Sequence, residues 1–110
     1  LAYNLELEKK LAPHIVKWGD LVGKKMFGGI GYLRNGNMAF GIYQDSLILR
    51  LAEDKSTIAL QRSDMKPFDI TGRPMKGWVM MTADGWQDGK VLRQWIELAY
   101  AFAGSLPAKK

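Results

Sequence analysis

Asn35 and Gly36, set between "GGIGYLR" and "NMAFGIY", constrain the fold more than any other pair of residues in the chain. Asn-Gly readily supplies the two consecutive positive φ angles of a tight β-turn, and alternating sequence on both sides marks a hairpin. A two-residue turn there pairs Leu33 with Met38, Tyr32 with Ala39, Gly31 with Phe40, Ile30 with Gly41 and Gly29 with Ile42. In all but the first pair a large residue faces a small one, which lets directly opposed side chains share volume across the ladder. A second turn at Asp45-Ser46 adds a third strand, with Gln44 opposite Leu47, Ile42 opposite Leu49 and Phe40 opposite Leu51. One face then collects Leu33, Met38, Phe40, Ile42, Leu47, Leu49 and Leu51; the other carries Ile30, Tyr32, Arg34, Ala39, Tyr43, Ile48 and Arg50.

Helical periodicity flanks this sheet. Residues 5–18 place Leu7, Leu11, Ile15 and Trp18 on one face, with Asn4 as N-cap and Glu6 and Glu8 at the positive end of the helix dipole. Pro13 removes a backbone donor inside that pattern and predicts a kink or split near Leu11-Ala12; Gly19-Asp20 ends the helix. From Asp88 onward Val91, Trp95, Leu98 and Phe102 form a stripe beside Leu92, Ile96, Ala99 and Ala103, with Gly104 as the stop and Pro107 preventing continuation. Between them, residues 54–62 suit a short helix capped by Asp54 or Ser56, and residues 66–81 suit two short strands around a loop from Gly72 to Gly77. A two-faced sheet needs helices on one side. The expectation is a two-layer α+β domain, a mainly antiparallel sheet of about five strands with N- and C-terminal helices on one face, in the order α-β-β-β-α-β-β-α. Residues 1–110 form one domain, with 106–110 as a flexible tail.

At 110 residues and 47% hydrophobic, the chain suits a single core that buries roughly 65% of the unfolded surface. It contains no cysteine, which excludes disulfides and thiolate metal sites and makes the cytoplasm the expected compartment. No apolar run approaches the ~20 residues of a membrane span, and "LAYNLELEKK" carries charges where a signal peptide has its apolar segment. No membrane role is expected. Sixteen basic residues against eleven acidic give a net charge of +5, a mild excess that favours anionic partners at long range.

The chemistry-bearing motifs are sparse. A dinucleotide-binding loop needs three spaced glycines followed by a helix, but "GIGYLR" lacks the third and runs into a hairpin; no Gly-Lys-Ser/Thr follows Gly28 or Gly29 for a P-loop. His14 is the single histidine and cannot form a histidine metal cluster. Serines 46, 56, 63 and 105 lie in predicted turns or caps, as do most of Asp45, Asp54, Asp64, Asp69, Asp84 and Asp88. Local hydrogen bonding accounts for them better than acid–base work. Lys24, Lys25, Arg34 and Arg50, interleaved with Tyr32 and Tyr43, form a basic and aromatic set suited to nucleic acid, while Trp78, Trp86, Trp95, Met75, Met80 and Met81 suit either a pocket or plain packing.

"KKMFGGIGYLRNGNMAFGIYQDSLILRL" at 24–51 resembles the signature region of the TfoX N-terminal domain, the leading module of TfoX/Sxy competence regulators, and "PFDITGRPMKGW" at 67–78 resembles that family's second block. With the flanking helices the similarity spans nearly the whole chain. Trp78 stands where the family more often has tyrosine, and Ala39 where a larger residue is frequent. The resemblance implies helices on a mainly antiparallel sheet, a link in some full-length members to transcription of competence genes alongside the cyclic-AMP receptor protein, and no catalytic residues. Full-length regulators carry a second, helical C-terminal domain; the resemblance concerns the first module.

The functional expectation is a non-enzymatic, transcription-associated interaction module with no cofactor and no metal, acting through a protein partner or a homodimer. Its candidate surface is Lys24, Lys25, Tyr32, Arg34, Tyr43, Ile48 and Arg50, or the edge strands of 66–81. The alternatives are a nucleic-acid-binding module on the same cations and a small-ligand protein with a pocket near Trp78 and Trp86.

Overall fold

The computed structural model describes residues 3–26, 28–69 and 75–109. In chain order the elements are α1 (Leu5–Ile15), β1 (Leu21–Met26), β2 (Gly29–Arg34), β3 (Asn37–Tyr43), β4 (Ser46–Arg50), α2 (Glu53–Ala59), β5 (Met65–Pro67), β6 (Trp78–Met81), α3 (Ala83–Trp86) and α4 (Gly89–Ser105). Among the described residues the six strands form one antiparallel sheet, ordered β1-β2-β3-β4-β6-β5. The α+β class holds with one strand more than expected. The extra strand, "LVGKKM", is an edge with four consecutive exposed residues, and so has no buried alternation to announce it. The segment 66–81 supplies only one edge, because β6 inserts between β4 and β5.

Asn35 (φ 53°) and Gly36 (φ 80°) make the expected turn, and Leu33 faces Met38. Beyond that pair the expected register fails. Ala39 is an extra residue on β3, so Tyr32 faces Phe40, Gly31 faces Gly41 and Ile30 faces Ile42. A bulge of this kind moves every later residue of one strand to the opposite face relative to its partner. Here it brings Ile30 and Tyr32 onto the side of Phe40 and Ile42, where they join or pack against the core. Burying a large side chain is worth about 1.5–3 kcal/mol, which outweighs one displaced ladder bond. The second turn is Gln44-Asp45 rather than Asp45-Ser46: Gln44 has φ 54°, Tyr43 faces Ser46, Ile42 faces Leu47 and Phe40 faces Leu49. That register is two residues from the expected one, so the same residues of β3 and β4 still share a face.

The core lies between this face and the helices. Leu7 and Leu11 of α1 and Leu92, Trp95, Ile96, Ala99 and Ala103 of α4 pack with Phe40, Ile42, Leu47, Leu49, Val79 and Met81. Asn4 caps α1 by accepting from Leu7 N at 2.9 Å. The helix runs past Pro13 to Ile15 as one element rather than splitting near Leu11-Ala12, although Pro13 leaves the Lys9 carbonyl without its helical donor and the helix ends two residues on. Asp88 caps α4 through Lys90 N and Val91 N. α2 starts after Ala52 without a side-chain cap, and Ser56 Oγ instead donates to Glu53 O. α4 passes Gly104 and ends at Ser105, the bare Cα of Gly104 lying against the Arg34 guanidinium. In the chain that follows, Asn37 Nδ2 donates to Pro107 O at 2.9 Å and Lys109 N to Asn35 O at 2.8 Å. Gly72 of the expected loop and the terminal Lys110 lie outside the described residues.

Candidate functional site

The bulge that buries Ile30 and Tyr32 also gathers glycine on the other face. Cross-strand partners share a face, so one row runs across the whole sheet: Lys24, Gly31, Gly41, Ile48, Met80 and Lys66. At about 4.8 Å per strand, the two lysines stand roughly 24 Å apart with apolar or bare positions between them. Ile48 is 2% exposed yet lies outside the helix-side core, which places its cover on this face.

The cover comes from the loops. The Phe68 ring sits 6.5 Å from that of Tyr43 and 6.0 Å from that of Trp78. Together with Met26, Met38 and Met75 these rings wall a groove of about 340 Å³ whose floor is Gly29, Gly31 and the neighbouring backbone. A Cβ at Gly31 would sit 3.0 Å from Met26 Cε and 3.5 Å from Met38 Sδ, so both thioethers lie over the glycine. Methionine side chains are flexible and polarizable, and they re-pack around a guest more readily than branched residues do. Arg50 pairs across the ladder with Trp78, its Cζ 5.3 Å from the indole ring. None of the six strands contains Asp or Glu, whereas they hold Lys24, Lys25, Arg34, Arg50 and Lys66.

The seven residues expected to share a surface are divided by the fold. Lys24, Tyr43, Ile48 and Arg50 lie on the open face, although Ile48 is covered. Lys25 pairs with Ile30 and so faces the helix side. Tyr32 is 6% exposed in the core, and burial, with Glu8 and Tyr3 nearby, pushes its phenol up to about 12. Arg34 stacks on Tyr100 with Cζ 3.9 Å from the ring centroid, donates from Nη1 to Tyr100 O at 3.0 Å and pairs with Asp20 at 3.0 Å. Both residues were misassigned for one reason: a register without the bulge puts them on the wrong side. The pocket expected near Trp78 and Trp86 exists at Trp78 alone. Trp86 is 1% exposed on the helix side, its Nε1 donating to Asp45 O at 2.9 Å. Met26, Met38 and Phe68 were missed as site residues; the glycine spacing at 29 and 31 was the available signal, legible only once the register is known.

The remaining polar groups have local work. Ser105 Oγ donates to Phe102 O, Asp64 pairs with Arg62 at 2.8 Å, and Asp45 accepts from Asn4. His14 sits with Asp88, Lys90 and Arg93 at a shallow surface between α1 and α4; partial burial, then Lys17 and Arg93, hold its pKa below the usual imidazole value. Among the described residues no three of His, Asp and Glu approach closely enough to hold a metal ion, and no helix is long and apolar enough to cross a membrane.

The family model of the TfoX N-terminal domain matches residues 14–103, from the end of α1 through most of α4. No curated protein and no solved structure matches the chain significantly.

Proposed function

Because the chain belongs to the TfoX N-terminal domain family, a regulatory or interaction module, we propose that it is a non-enzymatic, transcription-associated adaptor of the cytoplasm. Its open sheet face receives a protein partner or a second copy. The observation that carries this reading is the one-sidedness of the domain. The helices bury the Phe40 side, while the opposite side keeps exposed Val22 and, around one groove, exposed Met75 with half-buried Tyr43 and Trp78. Among the described residues the other exposed large apolar side chains, Leu5, Val16, Ile58 and Leu60, are on α1 and α2 or at their ends. Apolar surface left out of the core in this way is the usual mark of a contact site. A photo-crosslinking phenylalanine analogue at position 43 tests it, with the same analogue at exposed Glu97 on α4 as control. Discrete adducts at 43 and not at 97, at twice the chain mass or to a transcription-associated protein, are expected. The same adducts from both positions, or none from 43, refute it.

A second reading, single-stranded nucleic acid on the same face, is favoured by the strand cations and by the aromatic rings of Tyr43 and Trp78. It predicts oligonucleotide binding that weakens steeply with salt. No change in oligonucleotide anisotropy at low salt ends it.

A further inference from the structure

We propose that the groove over Gly29 and Gly31 is a binding site for an amphipathic carboxylate whose apolar body has about 10–16 non-hydrogen atoms. The inference rests on the open face being the working surface and names a ligand for it. Size comes first. A volume of about 340 Å³ equals roughly eleven waters at ~30 Å³ each, at the lower end of ordinary ligand cavities. The walls select an apolar body, since Met26, Met38, Met75, Phe68, Trp78 and Ile48 present carbon and sulfur to it. The floor admits it because Gly31 raises no side chain between the strands.

Charge selects the head group. Lys24 stands directly across the ladder from Gly31, on the same face and exposed, so its Cα is one strand spacing from the groove floor and its four-carbon stem is long enough to bring the ammonium to the groove mouth. Lys66 stands at the far end of the same row, and the Arg50 guanidinium packs near both the Trp78 ring and the Phe102 ring of α4, so Lys24 is the cation placed for the head group. The strands offer no carboxylate to neutralise them. The acidic residue nearest the lining in sequence is Asp69, exposed in the loop after Phe68. An uncharged hydrocarbon would leave Lys24 unused, and a cationic amphiphile would be repelled by it.

Three probes with one chain length separate these terms: dodecanoate, dodecan-1-ol and dodecyltrimethylammonium, titrated below their aggregation limits. Binding is read by calorimetry and by the ε-methyl NMR signals of the methionines. Dodecanoate is expected to bind with Kd in the tens of micromolar, about what its atom count allows. The alcohol should be some 3–5-fold weaker and the ammonium weaker still, as an exposed charge contact implies. Lys24→Glu, at an exposed position that does not threaten folding, should weaken dodecanoate several-fold and leave the alcohol unchanged, while Lys66→Glu, at the far end of the row, should change neither. Signals of Met26 and Met38 should shift while those of core Met65 and Met81 stay. Gly31→Leu should abolish all binding; if it does not fold, the wild-type methyl shifts decide. Equal affinity for the three probes overturns the carboxylate, and shifts centred on Met65 and Met81 overturn the groove. Position-43 crosslinks without probe binding remove this inference alone; probe binding without crosslinks keeps the site and removes the partner.

Discussion

Adding one methyl group at Gly31, and separately at Gly41, tests what each of these paired glycines makes room for. At Gly31 the new Cβ meets the ends of two flexible side chains, Met26 Cε at 3.0 Å and Met38 Sδ at 3.5 Å, which swing aside. At Gly41 it meets Ile30 O at 2.5 Å and Gly31 Cα at 3.2 Å, backbone atoms of the paired strand, as well as Met38 Cε at 2.7 Å. Backbone cannot rotate out of the way without separating the ladder. Gly31→Ala should therefore change stability by no more than about 0.5 kcal/mol, the crowding of the thioethers being offset by reduced freedom of the unfolded chain. Gly41→Ala should cost about 2–3 kcal/mol, the upper range for overpacking. For a domain of this size about 2 kcal/mol corresponds to a fall in Tm of roughly 10 °C. Urea unfolding followed by tryptophan fluorescence, with calorimetry for Tm, measures both. Equal losses in the two variants, or a Gly41→Ala chain as stable as wild type, would refute the register and the glycine floor together.

Two further predictions concern the helix side. Trp86→Phe removes the Nε1 donor to Asp45 O and should lower stability by about 1 kcal/mol beyond the change in ring size. Trp95 Nε1 is buried without an acceptor, so Trp95→Phe should cost less; a larger loss at Trp95 in the urea midpoints would contradict this. The Tyr100 hydroxyl, donating to Asp20 Oδ1 at 2.5 Å, and then Arg34 hold the Asp20 carboxyl below its usual value of 3.8. Arg62 does the same for Asp64. A depressed folded pKa contributes stability that is complete above the unfolded value and is lost as pH falls through the folded one. Asp20→Asn with Asp64→Asn should thus flatten the decline in stability below about pH 4; an unchanged slope in pH-dependent urea unfolding would exclude both pairs as its source.

Much of the fold was legible from local chemistry. Asn35-Gly36 marked its own turn because few other dipeptides accept two positive φ angles, and Asp88 and Asn4 marked helix starts because their side chains satisfy amides that a new helix leaves open. Leu7, Leu11 and Trp95 were readable as buried from their spacing, whereas on α4 the buried stripe runs through Leu92, Ile96, Ala99 and Ala103 and leaves Val91, Leu98 and Phe102 only partly covered. The candidate surface was half legible. Lys24, Tyr43, Ile48 and Arg50 fall together on the open face, while Tyr32 and Arg34 are across the sheet.

What the sequence by itself determined is most of the elements and the family, since both follow from short-range patterns: caps, periodicity, a turn dipeptide and a signature block; the edge strand β1 and the short α3 carry no such pattern. Only the tertiary structure decided which face each residue of β2 occupies. Side chains alternate with period two, so one extra residue at Ala39 is enough to move Ile30 and Tyr32 into the core and Gly29 and Gly31 out of it. No neighbour within β2 records that choice. It is made by the helices, whose apolar stripes bury more when Tyr32 lies beside Phe40, and the bare apolar groove on the far side is its consequence.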